Sequence, residues 1–113
     1  MKYTMSQSGA VTVIHLDGNL MGGPDATTLN GKLHELVDAG TKRVVLDLKG
    51  VEFINSSGLG LLIGGASLMK NAGGALKLAN TSEKISALIK ITRLGPIFDT
   101  FASVQEAVQS FKN

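Results

Sequence analysis

The segment Arg43–Leu48, RVVLDL, constrains the fold most. It is a nearly continuous apolar run bounded by charge. Such a run is expected for a central strand covered on both faces, as in a parallel sheet flanked by helices. The segments on either side fit that frame. Val11–Leu16 (VTVIHL) is β-branched and reads as a strand. Asp25–Ala39 carries Leu29, Leu33, Leu36 and Val37 at helical spacing, with Pro24 before it and Gly40 after it.

The remaining chain alternates in the same way. Lys2–Met5 reads as a short strand, Ser6–Gly9 as a turn, and Asp17–Pro24 as a loop rich in Gly and Pro. Gly50–Asn55 is a connection whose Phe53 and Ile54 are available to pack inward. Ser57–Asn71 reads as a helix with Leu59, Leu62, Ile63, Ala66 and Met69 on its apolar face. Its Gly58, Gly60, Gly64 and Gly65 each cost about 1 kcal/mol against Ala, so they imply close approach of backbone to the sheet or a partner. Ala75–Ala79 is a short strand. Thr81 or Ser82 caps a helix running to Lys90, with Ile85, Leu88 and Ile89 inward. Gly95 and Pro96 break the chain before an edge strand at Ile97–Phe101. Ser103 and Glu106 form a capping-box pattern for a last helix bearing Val104, Ala107, Val108 and Phe111. The expected fold class is α/β, a mixed sheet of about five strands with about four helices packed on it. The opening strand pair makes the sheet mixed.

With 113 residues, one domain over positions 1–113 is expected. Hydrophobic residues are 43% and charged residues 18%, which argues for a packed core. There is no cysteine, which excludes disulfides, thiolate zinc sites and a Cys nucleophile. No apolar segment reads as a secretory signal or approaches the ~20 residues of a membrane span. A cytoplasmic protein without direct membrane insertion is the expectation. The net charge is +2 with scattered Lys and Arg, and Phe and Tyr are few, so no nucleic-acid footprint is seen.

The informative stretch is Val44–Ile63, VVLDLKGVEFINSSGLGLLI. Two hydroxyls and a glycine stand where a strand and loop deliver the chain into a helix. The first helical turn presents unpaired N–H groups and partial positive charge. A phosphate is tolerated there, and it adds about −1.5 to −2 charge with three acceptor oxygens. Such a group alters the surface without unfolding the domain, as a binding switch requires. By chemistry alone, a Ser before a glycine-rich helix is more commonly an N-cap.

The run D-L-x-G-V-x-F-I-x-S-S-G-L-G-L-L-I resembles the pattern of STAS-domain anti-sigma factor antagonists. VIHLDGNL, positions 13–20, is similar to that family's strand ending in L-x-G-x-L, and the element order fits over the whole chain. The resemblance implies that Ser56 is the phosphoacceptor. It implies partner contacts by Asn19, Met21, Asn55, Ser56, Ser57, Gly58 and Leu59, with Gly58, Leu59 and Gly60 in a close-packed first turn. It implies a serine kinase that is also an anti-sigma factor as partner, and a PP2C-type phosphatase that resets the cycle. Unphosphorylated antagonist binds the kinase and frees the sigma factor; phosphorylation dissociates the pair. The chain departs from the family in three places, all replacing a carboxylate by a neutral side chain: Asn55 before the phosphoacceptor, and Asn19 and Met21 flanking Leu20. STAS domains also serve as accessory subunits of membrane transport assemblies, and the neutral residues suit that alternative.

Other residues carry less. His15 and His34 lack ligand-spaced carboxylates, so structural or solvent-exposed roles are expected over metal binding. Asp47 is suited to hydrogen-bonding a loop amide, with no paired catalytic group visible in the sequence. GLGLLIGG lacks the order of a dinucleotide or P-loop motif, and Ser56 and Ser57 lack the G-x-S-x-G spacing of a hydrolase. Met21 and Met69 read as ordinary core or surface. A non-enzymatic binding module without cofactor is expected, since no nucleophile–base constellation can be assembled from spacing.

Overall fold

The computed structural model describes residues 2–93 and 97–111. Five strands form one sheet in sequential order: β1 (Lys2–Ser8), β2 (Val11–Asp17), β3 (Arg43–Gly50), β4 (Ala75–Ala79) and β5 (Asp99–Phe101). β1 pairs antiparallel with β2, and every later neighbour is parallel. Four helices complete the described part of the chain: α1 (Pro24–Asp38), α2 (Ser56–Asn71), α3 (Glu83–Ile91) and α4 (Val104–Ser110).

The order of the strands decides where the helices go. Each parallel step needs a crossover, and crossovers have one hand. Three crossovers progressing in one direction along the sheet therefore stack α1, α2 and α3 on one face. Leu29 and Leu33 of α1, Leu62 and Met69 of α2, and Ile85 and Ile89 of α3 share a core with Ile14, Leu16, Leu46, Leu48 and Leu78. The alternate residues of the strands turn the other way. Val11, Val13, Val45 and Ala79 pack with Ala107 and Val108 of α4 in a smaller core on the opposite face. β3 lies in the middle of the sheet with Val44 to Leu48 buried, as its apolar run predicts. Truncating fully buried Leu46 to Ala would cost about 2–5 kcal/mol.

Local chemistry sets the ends. Pro24 occupies the first turn of α1, and Gly40 after it takes φ +85°, with its amide bonded to the Val37 carbonyl at 3.0 Å. Ser82 caps α3 through the Ile85 amide at 3.1 Å. Ser103 caps α4 through the Glu106 amide at 3.1 Å, while the Glu106 carboxylate reaches back to the Ala102 amide at 3.2 Å.

Several boundaries differ from the sequence expectations. β1 runs through Ser6, Gln7 and Ser8, because Val11–Val13 pairs with that segment; the turn is Gly9 and Ala10, with Gly9 at φ +60°. Helix α2 begins at Ser56 rather than Ser57. β5 is confined to Asp99–Phe101, and Phe98 before it is buried. Phe53 does not pack inward: it is 44% exposed, while Ile54 is buried. The expected break at Gly95 and Pro96 lies outside the described residues. No helix among the described residues is long and apolar enough to cross a membrane.

Candidate functional site

The loops after β2 and β3 meet at the start of α2. Leu20 and Ile54 form a parallel bridge beyond the ends of their strands. The Leu20 amide donates to the Phe53 carbonyl at 3.2 Å, and the Asn55 amide to the Leu20 carbonyl at 3.3 Å. Gly58 sits directly under this bridge. A Cβ there would fall 2.1 Å from the Leu20 carbonyl oxygen, so only glycine fits. At Gly22, φ is +85° and an added Cβ would meet Ser57 at 2.7 Å. The glycine content thus reflects close backbone approach at Gly58, and at Gly65 against Leu33 of α1, whereas Gly60 and Gly64 face open space.

Asn55 is the N-cap of α2, in place of the serine that the commoner chemical reading suggests. Its backbone is extended, and its Oδ1 accepts from the Gly58 amide at 2.8 Å. Its Nδ2 donates to the Met21 carbonyl at 3.1 Å. Asn19 plays a parallel role, its Oδ1 accepting from the Phe53 amide at 3.2 Å. Two of the three neutral replacements therefore tie the loops together. Met21 is 46% exposed beside them.

The cap frees Ser56. It occupies the first helical position, exposed, with Ser57 exposed beside it. Asn55 takes the Gly58 amide by its side chain and the Leu59 amide by its carbonyl at 2.9 Å. The Ser56 and Ser57 amides remain as the helix-end donors that α2 itself leaves unmatched. The first turn carries no acidic residue. A negative group on Ser56 would meet the positive end of a long helix without a carboxylate in that turn.

Of the other sequence-predicted contacts, Gly58 and Leu59 are buried and shape the site from beneath. Leu59 also walls an apolar cleft of about 650 Å³ between α2 and α3, whose rim is Phe53, Ser56, Lys84, Leu88 and Ile91. Ile91 is 78% exposed there. Ser82 fixes the far wall by donating to the Glu52 carbonyl at 2.8 Å. The cleft and exposed Phe53 were missed in the sequence, where both looked like core.

A second polar cluster lies on the α4 face. His15 Nδ1 lies 2.7 Å from Asp47 Oδ2, and His15 Nε2 lies 3.0 Å from Ser6 Oγ. Asp47 Oδ1 accepts from the Lys49 amide at 3.0 Å and from Asn80 Nδ2 at 2.9 Å. Burial pushes the Asp47 carboxyl up, but hydrogen bonds from Asn80, His15 and the Lys49 amide outweigh it and hold the group below its ordinary value. The loop amide expected to bond Asp47 is corrected: the backbone amide it accepts from is that of Lys49 within β3, and the loop contributes the Asn80 side-chain amide instead. The paired group that the sequence did not reveal is His15, which strand register sets opposite Asp47.

The sequence matches the STAS domain family over residues 2–107. It is 38% identical to the anti-sigma-B factor antagonist of Bacillus subtilis (strain 168) over 84 residues, 74% of this chain and 76% of that protein. It is 30% identical to BtrV of Bordetella bronchiseptica over 112 residues, 99% of this chain and 96% of that one. The fold matches the anti-sigma factor antagonist SpoIIAA in its unphosphorylated form, with TM-score 0.73, 18% identity and 99% of each chain covered. It matches the phosphorylated form of Bacillus SpoIIAA with TM-score 0.75 and 21% identity, covering 97% of this chain and 99% of that one. The chain therefore belongs to the STAS domain family, in the branch occupied by the anti-sigma factor antagonists. The described five-strand mixed sheet with four helices matches the STAS fold of SpoIIAA.

Proposed function

We propose that this protein is an anti-sigma factor antagonist whose partner binding is set by phosphorylation of Ser56. The observation that carries the reading is the exposed Ser56 at the first position of α2, capped by its neighbour and free of acidic residues in its turn. A phosphate there is stabilised by the helix end, so the domain stays folded while the surface gains about two negative charges. The partner is a serine kinase that doubles as an anti-sigma factor, and a PP2C-type phosphatase restores the hydroxyl. Exposed Met21 and Phe53 with the cleft beside Ser56 supply the apolar part of the contact. Desolvating a phosphate against that surface opposes binding. The exchange takes place in the cytoplasm, where the kinase's ATP is found. In this switch the chain is the bound partner and the kinase performs the phosphoryl transfer.

Two of the three neutral residues that suit a transport-assembly subunit have intramolecular jobs here, since Asn19 and Asn55 tie the loops. Those two no longer argue for lost partner contacts, which supports the phosphoswitch reading. It is tested by binding to a kinase/anti-sigma factor encoded in the same genome. Ser56→Ala is expected to bind at least as tightly as the wild type in the presence of ATP, and Ser56→Asp at least tenfold more weakly. Equal binding by both variants would sink the reading.

A further inference from the structure

We propose that Ser6 is a reactive nucleophile, activated by His15 and oriented through Asp47, that accepts acyl groups from small activated esters. Three strands supply the three side chains. β1 carries Ser6, β2 carries His15 and β3 carries Asp47, all turned to the face that bears α4. The hydrogen bonds run in one line, from Ser6 Oγ to His15 Nε2 at 3.0 Å and from His15 Nδ1 to Asp47 Oδ2 at 2.7 Å.

The tautomer follows from the acid. An ionised carboxylate only accepts, so a neutral His15 must hold its proton on Nδ1 and present the Nε2 lone pair. The Ser6 hydroxyl then donates to that lone pair, which is the arrangement a general base needs. Asp47 is itself fixed by Asn80 and the Lys49 amide, so the imidazole is held in one orientation. The side chains of His15 and Asp47 are 38% and 12% exposed, and Ser6 lies on the exposed edge strand, so the acid is shielded while the nucleophile is open to solvent.

In the step, Ser6 Oγ bonds to the ester carbonyl carbon while its proton passes to His15 Nε2. The carbon–oxygen bond to the leaving alcohol then breaks, and that oxygen takes the proton back from His15. Water attacks the acyl-serine with His15 again as base, releasing the carboxylic acid and regenerating Ser6. The site is an open sheet face, so small aryl esters are the fitting class. General-base assistance alone is worth about 10²–10⁴-fold.

The test is hydrolysis of p-nitrophenyl acetate by the full chain, with a fluorophosphonate probe to trap the nucleophile and peptide mapping to locate it. Ser6→Ala is expected to lower the rate at least tenfold and abolish the label, and His15→Ala to slow labelling of Ser6 at least tenfold. Ser6 is exposed, so Ser6→Ala is expected to fold; circular dichroism checks this. An unchanged rate in Ser6→Ala, as surface imidazole such as His34 would give, overturns the proposal. So does a label that is absent or lies on another residue.

Discussion

The side-chain amide of Asn55 donates to the Met21 carbonyl at 3.1 Å while its carbonyl caps the Gly58 amide at 2.8 Å. One residue thus starts α2 and clamps the loop after β2 onto it. An aspartate could cap but could not donate. Asn55→Ala removes both bonds and is expected to cost about 1–2 kcal/mol in chemical denaturation. Asn55→Asp should keep the cap and most of the stability, while amide exchange accelerates in residues 18–23. No change in exchange there would contradict the clamp.

Two glycines of the same helix should respond oppositely to a methyl group. Gly58→Ala drives its Cβ into the Leu20 carbonyl and is expected to destabilise by about 2 kcal/mol or more. Gly60→Ala meets nothing within 4 Å and should stabilise by up to about 1 kcal/mol. Thermal unfolding of the two variants side by side decides this.

Asp47 links stability to acid. Its folded-state pKa is depressed, so its contribution is present above the unfolded value of about 3.9 and is lost as pH falls through the lower folded value. Asp47→Asn should cost about 1–3 kcal/mol at neutral pH. That gap should shrink steadily below about pH 4. A gap that is independent of pH would mean the carboxylate is not the stabilising species.

The cleft makes a prediction about binding that leaves folding alone. Phe53 is 44% exposed, so Phe53→Ala should change stability by less than about 0.5 kcal/mol. Its affinity for the kinase partner should fall at least tenfold, read by calorimetry. A loss of stability without loss of affinity would place Phe53 in the fold only.

Much of this architecture is legible in the sequence, for identifiable reasons. The apolar run of β3, the helical stripe of α1 and the capping residues Ser82 and Ser103 are local signals, and each has its expected place. What was not legible depends on pairing. Ser-Gln-Ser reads as a turn, yet lies in β1 because Val11–Val13 templates it. Asn55 and Ser56 are equally good caps by type; Asn55 takes the cap because its extended backbone is held at Leu20 and its side chain bonds both the Gly58 amide and the Met21 carbonyl, contacts made across the loops. Ser6, His15 and Asp47 are far apart in sequence and meet through the strand register alone.

The central claim is that Ser56 carries the switch. Intact-mass and site-mapping spectrometry of the protein isolated from its own host, with and without phosphatase treatment, tests it most directly. The account predicts a phosphatase-sensitive gain of one phosphate, located on Ser56 and absent from Ser56→Ala. A protein that stays unphosphorylated across growth conditions, or carries its phosphate elsewhere, would contradict it.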